Sequence, residues 1–292
     1  AIAAKNILGF PIVLKADGLA AGKGVIICNN ELEFLDGLAD MYEKNTFGDA
    51  SNLVSVEECL IGEELSIFVV CDGKEYKILN TAQDHKRAFD GDLGPNTGGM
   101  GAYSPTPLST DVIIEQTSKR IIEPTLKAMN DQGHPYTGFL YVGIMIVNNS
   151  PYVIEYNVRM GDPEAQVVLP LLESSLFDLL YKSSQGSLLD VDLKISDKTA
   201  VTVVLVSRGY PKEYKKNMKI EININDDDLV FHAGTIIDGN CLYSKGGRVL
   251  NVVGFGESLK EAIFNAYDIV ERIKFDNKYF RTDIGKKGLG YK

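Results

Sequence analysis

Twelve consecutive residues, Gly94-Pro95-Asn96-Thr97-Gly98-Gly99-Met100-Gly101-Ala102-Tyr103-Ser104-Pro105, contain four glycines and two prolines. Glycine reaches backbone angles closed to other residues and lets a ligand approach the main chain closely. A loop of this length in a folded enzyme is more often functional than a spacer. Upstream, Asp84-His85-Lys86-Arg87 brings two firm positive charges, and downstream Ser104-Pro105-Thr106-Pro107 closes the segment. A basic approach to a glycine-rich floor suits an anionic, phosphorylated ligand. The alternative is a surface excursion with no ligand.

Three further segments carry candidate chemistry. In Lys15-Ala16-Asp17-Gly18-Leu19-Ala20-Ala21-Gly22-Lys23-Gly24-Val25 a small-residue loop joins two strands, and its N–H groups can fold over phosphates while Lys15 adds a fixed ammonium. No helix follows and the spacing is not GxxxxGK[ST], so this is not a P-loop. Between Val56 and Glu64, four carboxylates (Glu57, Glu58, Glu63, Glu64) surround an apolar pair and a glycine. A strand-end carboxylate can accept from an exocyclic amine, a second from ribose hydroxyls, and the backbone after them can read an adenine edge. A solvated acidic loop is the alternative. In Val153-Ile154-Glu155-Tyr156-Asn157-Val158-Arg159, strand alternation puts Glu155, Asn157 and Arg159 on one face. Two oxygen ligands beside a guanidinium suit a magnesium ion that bridges phosphates, with the arginine aimed at the transferring group. A solvated polar row is the alternative here. His85, His134 and His232 have no spacing for zinc or a triad, and only His85, in its loop, is a candidate ligand contact.

These groups need strands to hold them. Ile12–Lys15 and Val25–Cys28 read as strands around the small-residue loop. Asn30 can cap a helix to about Asn45, with Glu31 and Glu33 in its first turn. Leu53–Glu57 reads as a strand, and Leu65–Cys71 with Glu75–Thr81 as a hairpin turning at Asp72-Gly73. Ser109 or Thr110 starts a helix to about Met129 that Pro124 should kink. Phe139–Val147 and Tyr152–Asn157 form a second hairpin around Asn148-Asn149-Ser150, and short helices follow between Pro163 and Ser184. Residues 187–197 are mixed and acidic and read as a domain boundary. Short strands begin at Thr199, and Ser258 with Glu261 forms a capping box for a last helix, whose Ala262, Ile263, Ala266, Ile269, Val270 and Ile273 line a core face. The class is α+β, rich in antiparallel hairpins.

The chain has 292 residues, 45% of them hydrophobic, enough for two or three structural units. A net charge of −10 argues against nucleic acid or an anionic membrane as partner. Cys28, Cys59, Cys71 and Cys241 are too scattered for a metal site or a disulfide framework, which favours reduced thiols in the cytoplasm. The longest apolar runs are strand-sized, with no signal peptide or spanning segment. The opening Ala1-Ile2-Ala3-Ala4-Lys5 reads as the middle of a helix, so the protein is expected to continue upstream.

The order of a lysine-tipped strand with its glycine loop, a Glu-Glu-x-Leu-x-Gly-Glu-Glu segment and a Glu-x-Asn-x-Arg strand resembles the ATP-grasp ligases. KADGLAAGKG, QDHKR, GPNTGGMGAYSP, TGFLY and RMGDPE, with FHAGT at 231–235 and GGRVL at 246–250, resemble the glycinamide ribonucleotide synthetase family in particular, over almost the whole chain. The resemblance implies an ATP-grasp fold, two α+β subdomains sandwiching ATP, followed by a small mainly-β C-terminal domain. The expected boundaries are 1–63, 64–194 and 195–292. It also implies a cytoplasmic ligase of purine synthesis. ATP would phosphorylate the carboxylate of glycine, and the amine of 5-phosphoribosylamine would attack the glycyl phosphate.

Carried over by motif, ATP would be bound by Lys15, Gly22, Lys23, Gly24, Glu57, Glu58, Leu60 and Glu64. Within that set Lys15 would meet phosphates, Glu57 the adenine amine, the Leu60 backbone the ring edge, and Glu64 the ribose. Glu155 and Asn157 would hold Mg2+ or Mn2+. Arg159 and Asp162 would face the acyl phosphate and glycine. Asp84, His85, Lys86, Arg87, Asn96, Thr97, Gly98, Gly99 and Met100 would border phosphoribosylamine. Phe139–Val147 lacks the extra metal carboxylate found in many ATP-grasp enzymes. The family's N-terminal domain, which completes the amine-substrate site, is missing from these residues. The alternatives are another ATP-grasp carboxylate ligase, such as a carboxyphosphate-forming carboxylase, or an ATP-binding fragment without catalysis.

Overall fold

A computed structural model describes every residue except Leu19, Ala21, Gly22, Lys23, Asn45 and Lys292. The chain forms two compact units, Ala1–Gly62 and Glu63–Lys292.

In the first unit, helix α1 (Ile2–Leu8) precedes strand β1 (Ile12–Ala16), β2 (Val25–Cys28), helix α2 (Glu31–Leu38) and β3 (Val54–Glu58). The sheet is antiparallel in the order β2-β1-β3. Ile12 and Leu14 point inward with Cys28, Phe34 and Met41 to make its small core. The alternate residues Val13 and Lys15 are left on the other face. Asn30 caps α2 by accepting from the Glu33 N–H at 3.0 Å, which satisfies one of the free donors of the first turn.

The second unit begins with β4 (Glu63–Asp72), β5 (Tyr76–Asp84), the short hairpin strands β6 (Arg87–Phe89) and β7 (Leu93–Asn96), and β8 (Gly101–Ser104). Helices α3 (Asp111–Thr117) and α4 (Glu123–Asp131) lead to β9 (Thr137–Val147) and β10 (Ser150–Asn157). Helices α5 (Ala165–Val168) and α6 (Leu176–Ser184) are followed by β11 (Thr199–Ser207), β12 (Lys219–Ile222), β13 (Leu229–His232), β14 (Thr235–Asp238), β15 (Cys241–Ser244) and β16 (Arg248–Gly256). Helix α7 (Leu259–Glu271) and the two-residue strands β17 (Ile273–Lys274) and β18 (Lys278–Tyr279) complete it.

One antiparallel sheet runs through this unit in the order β10-β9-β4-β5-β8-β11-β16-β13, with β18 beside β11. The strands of residues 64–194 and those after 195 therefore share a single sheet, joined at the β8–β11 pair. β4 is apolar on both faces because both are covered. Leu65, Ile67, Val69 and Cys71 pack on the side of α3 and α4, and Phe68 and Val70 on the side of α5 and α6. The stripe of α7 packs on β11 and β16.

Several local expectations change. The glycine-rich segment is not one long loop. Gly101–Ser104 is a buried strand in mid-sheet, and a Cβ on Gly101 would sit 2.6 Å from the Thr202 carbonyl oxygen. Glycine there serves close packing of strands. The first hairpin turns at Gly73-Lys74, with Gly73 at φ 96°, while Asp72 caps the turn by accepting from the Lys74 and Glu75 N–H groups. Asn148 and Asn149 do take the left-handed conformation that a tight hairpin needs. The expected helix from Thr110 runs as α3, a wider turn at Ser118–Ile122 and α4 without a break, so the backbone ladder changes just before Pro124.

Candidate functional site

In the first unit, Lys15 Nζ lies 2.6 Å from Glu57 Oε2, and Ser55 Oγ donates to Glu57 Oε1 at 2.8 Å. Lys15 pairs with Ser55 across the β1–β3 ladder, so these three groups share one sheet face. Residues expected to meet different parts of ATP thus meet each other. An ion pair this exposed is worth ~0–1 kcal/mol, and a ligand can displace it. Glu58 alternates to the other face and is exposed, and Leu60 is half-buried just beyond β3. Gly24 closes the loop on β1, where a Cβ would come within 2.9 Å of Ala16. Gly22 and Lys23 lie outside the described residues.

In the second unit, one face of the sheet collects the remaining polar groups. Ser66 pairs with Ala82 and Gly143, Gly143 with Glu155, and Tyr141 with Asn157. Residues directly opposite across strands share a face, so alternation adds Glu64 and Asp84 to it. A small cleft here is lined by Glu64, Ser66, Lys86, Tyr141, Gly143 and Glu155, among others. Gly143 keeps it open, since a Cβ would crowd Glu155 Cγ at 3.2 Å. Lys86 Nζ donates to Glu64 Oε2. Burial lifts the Asp84 carboxyl to about 6. Lys86 opposes that shift, and the charges of Glu64 and Glu155 add to it. Burial works against the charge of Lys86, yet Asp84 and Glu64 hold its pKa above the ordinary lysine value.

Asn157 Nδ2 lies 3.3 Å from Glu155 Oε1. Turning the amide over would present its oxygen beside the carboxylate. That donor set fits a magnesium ion, which takes one or two protein oxygens and completes its shell with phosphate and water. Among the described residues no three His, Cys, Asp or Glu side chains gather into a larger metal site. The one-face expectation holds for Glu155 and Asn157 only. The strand ends at Asn157, and Arg159 lies beyond it with Nη1 donating to the Met160 carbonyl at 2.9 Å.

Asp162 is held by a residue that the sequence did not single out. Arg248 forks onto its carboxylate at 2.8 and 3.1 Å and donates to the carbonyls of Asp162 and Gly98 at 2.9 and 2.7 Å. Tyr210 Oη accepts from the Gly98 N–H at 3.0 Å. Gly99 sits on Pro163, where a Cβ would fall 2.4 Å from Cδ. The GGRVL motif was visible, but its arginine's partners were not. Glu164 was also missed. It is 5% exposed, and burial, then the charge of Asp84, lifts its carboxyl to about 8.

Two expected substrate contacts are corrected. His85 is buried, with Nε2 facing the Gly285 N–H at 3.4 Å, and burial followed by the charge of Arg281 pushes its pKa down to about 4. It is therefore a neutral interior group. The Met100 side chain is fully buried beside Tyr103 and Ile284, so it belongs to the core. Arg87, Asn96 and Gly98 are exposed, and Thr97 is half-buried with its hydroxyl donating to the Lys86 carbonyl. Gly99 is buried.

Comparison with known proteins identifies the chain's relatives. The phosphoribosylglycinamide synthetase ATP-grasp (A) domain matches residues 2–165, and the C domain of the same synthetase matches 200–287. The chain is 48% identical to the phosphoribosylamine–glycine ligase of Chlorobaculum tepidum over 284 residues, covering 96% of this chain and 67% of that protein. The Agrobacterium fabrum enzyme of the same name is also 48% identical, over 283 residues, with the same coverage. The chain thus spans about two thirds of the length of these relatives. The crystal structure of the Thermotoga maritima phosphoribosylamine–glycine ligase superposes with a TM-score of 0.89 at 35% identity, covering 97% of this chain and 71% of that one. A biotin carboxylase from Campylobacter jejuni, at 16% identity and a TM-score of 0.66 over 97% of this chain and 61% of that one, shares the fold. With both domain matches in place and these relatives alongside, the chain belongs to the phosphoribosylglycinamide synthetase family.

Proposed function

We propose that this protein ligates glycine to 5-phosphoribosylamine at the expense of ATP, giving glycinamide ribonucleotide, ADP and phosphate. The observation that carries the reading is the single sheet face that bears Glu64, Asp84, Glu155 and Asn157, with a cleft opening at Glu64, Lys86 and Glu155, in a chain whose close relatives bear that activity in their names.

The reading gives the adenine to Glu57 and the Leu60 backbone, phosphates to Lys15, and ribose to Glu64. A glycine carboxylate oxygen attacks the γ-phosphorus, the bond to the bridging oxygen of ADP breaks, and a glycyl phosphate forms. The amine nitrogen then attacks the glycyl carbonyl, phosphate leaves, and the nitrogen loses a proton. Phosphorylation turns a poor leaving group into a good one, so positioning and charge neutralisation supply most of the rate. A magnesium or manganese ion held by Glu155 and Asn157 would neutralise phosphate charge. Arg159 would face the transferring phosphoryl group. Asp162, fixed by Arg248, would accept from the glycine ammonium. Lys86, Arg87, Asn96, Thr97 and Gly98 would border the phosphorylated amine.

We keep 1–63, 64–194 and 195–292 as the functional division and place the reaction in the cytoplasm, in keeping with four free cysteines. We also assign part of the amine site to the third of the family's length that this chain does not span. The test is ADP formation by the chain together with that remaining third, with glycine and with phosphoribosylamine generated from ribose 5-phosphate and ammonia. Turnover that requires both co-substrates is expected. Turnover with bicarbonate in place of glycine would point instead to a carboxylase, and nucleotide binding without turnover to a non-catalytic role.

A further inference from the structure

The hairpin β6–β7 lies off the main sheet, with three and four residues in its strands. A two-stranded hairpin of that size does not hold its shape alone in water. Its tip is also conformationally demanding, with Gly91 and Asp92 both at positive φ, 69° and 54°. Something outside must fix it, and one short segment near the C-terminus does so residue by residue. Arg281 Nη1 donates to the Arg87 carbonyl at 3.0 Å and to Asp92 Oδ1 at 2.8 Å. Tyr279 Oη donates to the Ala88 carbonyl at 3.2 Å, and its ring meets Phe89 edge-on. The Thr282 N–H donates to Asp90 Oδ1 at 2.8 Å, and the Gly91 N–H donates to Asp283 Oδ2 at the same distance. Every residue from Arg87 to Asp92 is thus touched by Tyr279–Asp283. The Arg281 side chain is 1% exposed, and Asp283 holds its other edge through Nε and Nη2, both at 2.8 Å.

A buried guanidinium is costly unless its donors are met, and an apolar residue of similar size often gives equal stability. What a fork of directed bonds adds is orientation. We infer that Tyr279–Asp283 is a positioning strap for the hairpin that borders the phosphorylated amine, with Arg281 its principal residue. This rests on the functional reading above, in which Lys86, Arg87 and Asn96 meet that substrate. Arg281 touches no substrate. It acts by holding the Arg87 main chain and the Asp92 turn, so that the outward side of the hairpin is presented in one geometry.

The test uses the protein supplied with the remaining third of the family's length. Ribose 5-phosphate serves as a stable probe of the amine site and Mg–ATP as a reference, both by calorimetry, with hydrogen exchange at the Gly91 amide alongside. Arg281→Lys should weaken ribose 5-phosphate about tenfold or more, leave Mg–ATP within about twofold, and speed exchange at Gly91. Should Arg281→Lys fail to fold, Thr282→Val leaves no charge buried and should give the same pattern at about threefold. Folded variants that bind ribose 5-phosphate as the parent does would overturn the inference, whatever their melting temperature. A parent that binds Mg–ATP but not ribose 5-phosphate would overturn the functional reading, and the strap's role with it.

Discussion

At the scale of single residues, Glu164 gives the sharpest consequence. Its carboxyl is buried beside Asp84, and its pKa stands at about 8 against an ordinary value of 4.5. A folded value above the unfolded one means that the protonated form favours the fold. That contribution is full below the ordinary carboxylate range and is lost as pH rises through about 8. Glu164→Gln keeps the shape and cannot ionise. It should raise the melting temperature at pH 8.5 by something on the order of 5 °C and change little at pH 4. Calorimetry across that range checks it, and a gain of equal size at both ends would refute it. The reason this residue escaped a reading of the sequence is physical. Glu164 looks like an ordinary turn acid in Gly-Asp-Pro-Glu, and only folding brings Asp84 to it from another strand.

At the scale of elements, the clamp on Asp162 shows what strand order adds to motif. Arg248, at the start of β16, reaches Asp162, 86 positions earlier, and Gly98, 150 positions earlier. It ties the loop before β8 to the segment before α5. Arg248→Met removes a fork that no other side chain in the clamp can replace. Lysine cannot restore it, because an ammonium lacks the planar pair of donors. Both variants should therefore lose about tenfold or more in kcat/KM for glycine, equivalent to ~1.4 kcal/mol. Steady-state kinetics with glycine varied at saturating ATP measure this, and full rescue by lysine would mean that charge alone matters. The strand-borne part of the site was legible where alternation alone decides it, as for Glu155 and Asn157 on one face, whereas the Lys15–Glu57 contact depends on the register between two strands and was not. The glycine-rich segment was misread in part. Its composition signals a loop, but Gly101 is there because the neighbouring strand backbone leaves no room for a side chain.

At the scale of the whole molecule, the second unit is a continuous sheet that carries the cleft at one end and Arg248 on a distant strand. That continuity explains why the segment 195–292, which reads in sequence as a separate mainly-β domain, also helps to shape the site. The sheet's connections are long-range, so neither the β8–β11 junction nor the strap at Tyr279–Asp283 could be inferred from local pattern. A cleft of about 330 Å³, roomier than the one at Glu64 and Glu155 and lined by Asn225, Asp228, Asp268 and Arg272 among others, belongs to that later segment. Arg272 and Asp228 fill its wall with a bidentate ion pair. None of the residues assigned to the reaction lines it, which argues that size alone does not mark the functional site here.

The central claim is that the chain's residues assemble a glycyl phosphate. The direct measurement is a single turnover with glycine labelled in both carboxylate oxygens with oxygen-18, in the presence of ATP, magnesium, phosphoribosylamine and the family's remaining third. Mass analysis of the released phosphate should find one labelled oxygen per phosphate, carried over when the acyl phosphate is attacked. Unlabelled phosphate alongside glycinamide ribonucleotide would show that the carboxylate was never phosphorylated, and would contradict the account.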